Sequence, residues 1–146
     1  MASAEQVGTA EHISSALSAC LDATSTSGVN EARLDAAGFK QGTIESEGKA
    51  IETPLRIFGR SKNPAMIVTM QTPRPACSIT SRIVSFKSYP AIAEAITREL
   101  GSQPIKQEGN DVFWRRGNVV IHLAATGSQK KPSIRAGVVA VQGEKK

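Results

Sequence analysis

The chain has 146 residues, 40% of them hydrophobic, 21% charged and only 4% aromatic, a balance that excludes a disordered chain and calls for a core of Ile, Val, Leu, Ala and Met. No apolar run approaches the roughly 20 residues of a membrane-spanning helix, so the chain is not expected to be an integral membrane protein. The net charge of +5 favours anionic partners, yet Lys130, Lys131, Lys145 and Lys146 supply much of the excess, and spread charge of this size serves solubility before recognition. One domain covering residues 1–146 fits this length.

In chain order, the first periodic segment runs from Thr9 to Ala23. Ile13, Ala16, Leu17, Cys20 and Leu21 repeat at helical spacing, and Thr9 is a candidate cap. Ser3 and Gln6 have capping-box spacing, which allows an earlier start. Thr24 to Gly28 breaks the helix. Asn30 then caps a short helix from Glu31 to Ala37, ended by Gly38, with Ala32, Leu34 and Phe39 facing the body. Residues 40–50 read as a polar connecting loop.

A three-strand meander follows. In 51–59 the apolar set Ile51, Leu55 and Ile57 alternates with Glu52, Pro54 and Arg56, and Pro54 marks an edge or a strand start. After a turn at 60–64, Met66 to Met70 is a more buried strand. Residues 77–84 place Cys77, Ile79 and Ile83 on one side and Ser78, Thr80 and Arg82 on the other.

The strongest signal is 88–101. Ser88 is an N-cap candidate, Pro90 lies in the first turn, and Tyr89, Ile92, Ala93, Ile96 and Leu100 share a face. Glu94 and Arg98 form an i,i+4 pair and Gly101 ends the helix. Residues 112–124 read as a hairpin with a two-residue loop, either Gly117-Asn118 or Arg116-Gly117. In both registers Trp114 shares a side with Val119 and Ile121, and Phe113 and Arg115 share the other with Val120 and His122. Residues 125–132 form a loop, Ser133 to Gln142 a last strand, and the tail frays. The order is α-α-β-β-β-α-β-β-β, an α+β domain whose antiparallel sheet has helices packed on one face.

No catalytic signature emerges. The two histidines, His12 and His122, are the only imidazoles, and neither stands in a recognisable triad. His12 is expected in solvent. His122 would pair across from Asp111 in one hairpin register, an arrangement more often structural than catalytic. Phosphate-loop and dinucleotide glycine patterns are absent, and no Cys/His cluster suggests zinc. No cofactor or metal is expected, and the reading leans away from an enzyme.

Cys20 and Cys77 are either two buried thiols or one disulfide tying the first helix to the sheet. Ala2-Ser3-Ala4 has the small-x-small form of an export cleavage site, although neither a basic nor an apolar leader region is present. Together these lean towards the periplasm or secretion over the cytoplasm.

One constellation suggests a surface. Arg56, Arg82, Arg115 and Arg135 fall on the polar sides of their strands, with Phe58 beside Arg56 and Phe113 and His122 beside Arg115. If these sides coincide, the helix-free face offers guanidinium groups interleaved with rings, suited to phosphate contacts and base stacking. The function expected is a non-enzymatic binding or accessory protein with a protein partner, acting through its open sheet face or through the loops at 40–50 and 125–132. The alternative is a basic-surface binder of nucleic acid or another polyanion.

Overall fold

A computed structural model of the chain describes residues 7–42, 45–46, 49–50, 55–71 and 74–141. The first helix, α1 (Ala10–Ala23), starts at Thr9, whose hydroxyl accepts from the His12 N–H at 3.2 Å while His12 Nδ1 accepts from the Thr9 N–H at 3.1 Å. This is a capping box with histidine at the third position. His12 is therefore half-buried and engaged in the cap rather than free in solvent. The Ser3/Gln6 alternative lies outside the described residues. Ile13, Ala16, Leu17 and Cys20 are fully buried, each large aliphatic side chain worth about 1.5–3 kcal/mol on burial. Cys20 and Cys77 are joined as a disulfide across 57 positions of sequence, so the helix is bonded to the sheet it covers.

After α1, β1 (Thr24–Ser25) and β2 (Gly28–Val29) pair as a small hairpin where the sequence reads only as a break. Gln71 holds β2 in place, since its amide exchanges two 2.8 Å hydrogen bonds with the Val29 backbone. Helix α2 (Glu31–Ala36) is capped by the Asn30 side chain, which accepts from the Ala32 N–H at 3.1 Å. Leu34 and Phe39 are fully buried. Ala32 is exposed and does not fix α2 to the body as expected, because Leu34 turns the opposite side inward. The Arg60 guanidinium lies 4.6 Å from the Phe39 ring centroid and donates to the Ser15 hydroxyl at 2.8 Å, clamping this corner.

The main sheet is antiparallel, with eight strands in the order β3-β6-β7-β8-β12-β11-β10-β9. They are β3 (Lys40–Gln41), β6 (Arg56–Arg60), β7 (Asn63–Met70), β8 (Ala76–Arg82), β9 (Lys106–Glu108), β10 (Asp111–Arg116), β11 (Val119–Gly127) and β12 (Pro132–Ala140). A separate hairpin pairs β4 (Glu45–Ser46) with β5 (Lys49–Ala50). The segment 40–50 is thus partly strand, not loop: β3 pairs with β6, and edge strands of two residues carry no alternation to betray them. The strand expected over 51–59 is seen as Arg56–Arg60; Ile51 to Pro54 lie outside the described residues. Residues 125–127 belong to β11, so that loop shrinks to Ser128–Lys131.

The meander β6-β7-β8 and the hairpin β10-β11 form as expected, and β12 inserts between β8 and β11. The hairpin register is the one with Gly117-Asn118 as the loop, since Arg116 faces Val119. Gly117 takes φ 60, the left-handed value that a type II′ turn asks of its first central residue.

Helix α3 (Tyr89–Leu100) follows a 3-10 turn at Phe86–Ser88 and ends at Gly101 with φ 73. Ser88 makes no capping hydrogen bond, because its backbone is already helical; Ser85 caps the 3-10 turn instead, accepting from the Lys87 N–H at 3.1 Å. Tyr89, Ile92, Ala95 and Ile96 face inward. Trp114, fully buried beneath, donates its indole N–H to the Thr97 hydroxyl at 3.1 Å, which satisfies its polar atom. The helices and one face of the sheet enclose a single apolar cluster. Among the described residues no helix is long and apolar enough to cross a membrane.

Candidate functional site on the open sheet face

Strand pairing sorts every side chain to one face or the other, because residues directly opposite in register point the same way. The helix-covered face takes Ala65, Ile67, Cys77, Ile79, Ile121, Leu123, Ile134, Ala136 and Val138, all essentially buried. The opposite face carries rows across the strands, among them Arg82, Ser133 and Thr126 at one end and three longer ones. One is Met66, Thr80, Arg135 and Ala124; the next is Ile57, Val68, Ser78, Gly137, His122, Phe113 and Lys106; the third is Met70, Ala76, Val139, Val120 and Arg115.

The expected arginine cluster is only partly assembled. Arg82, Arg115 and Arg135 share the open face. Arg82 and Arg135 are diagonal neighbours on β8 and β12, since Arg82 faces Ser133, but Arg115 lies two strands and four residues away from Arg135, roughly 16 Å. Arg115 also turns back to donate its Nε–H to the Gly117 carbonyl at 3.0 Å.

Arg56 and Phe58 depart from the expectation. Arg56 faces Thr69 and Phe58 faces Ile67, which puts both on the covered side. Phe58 is buried there at 4% exposure. Glu31 of α2 reaches the same spot, accepting from the Thr69 hydroxyl at 3.0 Å and lying 3.7 Å from Arg56 Nε. The larger ring takes the core and a helix carboxylate neutralises the arginine; Ile57, not Arg56, faces outward.

At the far side of the open face Phe113 and His122 stack, with ring centroids 4.4 Å apart and planes within 6°. Asp111 holds the imidazole, its carboxylate accepting from His122 Nε2 at 2.9 Å. The pair is diagonal, because the register sets Phe113 opposite His122. On the covered side of the same strands, the Tyr89 hydroxyl is shared between the backbone carbonyls of Asn110 and Leu123. Burial, then the nearby Asp111 charge, pushes the Tyr89 phenol up to about 12. This tyrosine pins α3 to the hairpin and stays neutral.

Between the flanks of the open face lies a strip of small residues. Ala76 and Ser78 on β8 adjoin Gly137 on β12, and Val68, Met66 and Met70 rise on one side, Val120, His122 and Phe113 on the other. Met66 is 42% exposed. A Cβ added to Gly137 would sit 3.7 Å from Ser78 Oγ, an ordinary contact, and Gly137 does not take a positive φ. Among the described residues neither a steric contact at Cβ nor a positive φ accounts for glycine here. A glycine in a strand interior is one of the features found where a ligand or another backbone comes close to a sheet.

The arginines and rings of this face are visible in the sequence, but its floor is not, since Ala76, Ser78 and Gly137 become neighbours only through the β8–β12 pairing. Among the described residues no three His, Cys, Asp or Glu side chains gather where a metal ion could be held. Compared with protein-family models, curated proteins and solved structures, the chain matches none.

Proposed function

We propose that this chain is a non-enzymatic binding protein whose open sheet face receives an extended polypeptide segment of a protein partner. The small-residue strip through Ala76, Ser78 and Gly137 carries the reading: it runs along the strands, is walled by apolar side chains, and contains a glycine whose only evident effect is room above the sheet. Arg82, Arg135 and Arg115 stand around it, so the complementary segment has an apolar centre and acidic flanks. The disulfide favours an oxidising compartment such as the periplasm or the extracellular space.

The test uses immobilised short peptides with apolar centres, bearing acidic ends in one set and basic ends in the other. Saturable binding to the acidic set, lost in Gly137→Val while the variant melts no lower than the parent, is the expected result. Equal binding to both sets, or an unaffected Gly137→Val, would overturn the reading.

A second reading takes the stacked Phe113–His122 pair together with Arg115 and Arg135 as a surface for single-stranded nucleic acid. It ranks lower because His122 already occupies one ring face of Phe113 and the arginines are dispersed. Titration with a labelled single-stranded oligonucleotide separates the two: binding that keeps strand preference at physiological salt and weakens in Arg115→Ala favours this reading, whereas binding lost uniformly as salt rises removes it.

A further inference from the structure

Away from the open face, the C-terminal end of α1, strand β1, the last turn of α3 and the β10–β11 turn surround a cleft of about 520 Å³, within the range of small-molecule sites. Both charge signs line it without neutralising one another. Among the described residues Arg116 has no side-chain hydrogen bond or ion pair. Among the described residues Glu99 only accepts from the Ser14 hydroxyl at 3.3 Å. The remaining carboxylate, Asp22, is already paired with Arg33 at 3.0 Å. An unpaired guanidinium and a carboxylate engaged only by a serine hydroxyl therefore border one cleft without forming an ion pair with each other.

A third feature is independent of these charges. Thr24, also in the wall of the cleft, is 7% exposed, and among the described residues its Oγ1 has no hydrogen-bond partner. Buried hydroxyls are ordinarily satisfied, and leaving one unmade is costly.

We propose that the cleft binds a small zwitterion of the free α-amino-acid class. The Arg116 fork takes the carboxylate, in the geometry guanidinium groups favour; Glu99 takes the ammonium group; Ser18 and Thr24 take the remaining polar atoms. Leu21 and Val119 are the apolar members of the wall, enough for a short uncharged side chain. The site is separate from the peptide-binding face, so either reading stands or falls without the other.

Calorimetric titration of the full chain with L-serine and L-alanine tests it, with acetate, methylamine and glucose as contrasts. Both amino acids bind saturably, and Arg116→Ala and Glu99→Gln each weaken binding by about tenfold or more, the loss expected for one charge-assisted contact. Thr24→Val raises the melting temperature of the unliganded chain while lowering affinity. Acetate binding as well as the amino acids reduces the cleft to an anion site and overturns the proposal. Glucose binding in their place, or no amino acid binding at millimolar concentration, also overturns it. Arg116 and Glu99 are exposed, so their variants should fold. If one does not, amide shifts of the unaltered protein on adding L-serine decide: changes centred on Thr24 and Val119 support the site, and changes confined to Phe113 and His122 refute it.

Discussion

The two faces of the sheet are built from the same strands in the same register, yet they obey different rules. On the covered face, side chains such as Ile67, Ile79, Leu123 and Trp114 are large and sealed under helices, and even the polar atoms are paired, as with Trp114 and Thr97. On the open face the residues over the same backbone are small at the centre, half-exposed at the flanks and charged at the margins. The covered face is composed as if stability selected it. The open face places glycine at position 137, where an added Cβ would meet only an ordinary contact, although glycine is a weak strand former.

The contrast can be broken by mutation. Trp114→Ala should cost about 3–5 kcal/mol, whereas Phe113→Ala, one residue along on the other face, should cost less than about 1.5 kcal/mol. Denaturant unfolding compares them, and equal losses would erase the distinction between the faces. Reducing the Cys20–Cys77 bond should remove about 2–4 kcal/mol for a loop of this length, read as a lower denaturant midpoint in reductant. An unchanged midpoint would mean that packing alone holds α1 on the sheet.

Alkaline pH probes the seam where α3 meets the hairpin. Because the Tyr89 phenol is raised from 10.0 to about 12, the folded chain holds this proton more tightly than the unfolded chain. Its stabilising contribution is complete below pH 10 and disappears as pH climbs through 12. Tyr89 is the sole tyrosine, so the tyrosinate absorbance follows it directly; a midpoint at the ordinary value would place it in solvent. The smallest effect is expected at the open face itself, where Gly137→Ala should leave stability unchanged or raise it by about 0.5–1 kcal/mol. A clear loss would show that the glycine serves the fold.

How far the sequence reveals this molecule depends on how local each feature is. Helices α1 and α3 announce themselves through Ile13–Leu17–Cys20 and Ile92–Ile96, and the β10–β11 hairpin through its Gly117-Asn118 turn, because each rests on neighbours in the chain. Strands β1, β2 and β9 escape notice because two or three residues make no alternation. Strand β6 misleads for a different reason: both of its sides carry apolar residues, Ile57 on one and Phe58 on the other, so periodicity cannot choose the inner one. Pairing with Ile67 and the approach of Glu31 make that choice. The cleft draws Thr24, Glu99 and Arg116 from three distant segments, and no spacing rule joins them. Its one local trace is the hydroxyl run Thr24-Ser25-Thr26-Ser27, which reads as a helix break.

The covalent link between α1 and β8 also fixes what a single cut in the backbone can do. It closes a ring containing α2, β3, β6 and β7. A proteolytic nick after Lys62, in the exposed turn between β6 and β7, opens that ring without releasing a fragment, so the nicked chain migrates intact until reductant is added. A nick after Lys130, between β11 and β12, lies outside the ring and frees β12, the strand that joins the two halves of the sheet. One half of the molecule is thus insured against chain scission, and the half that supplies Gly137 is not.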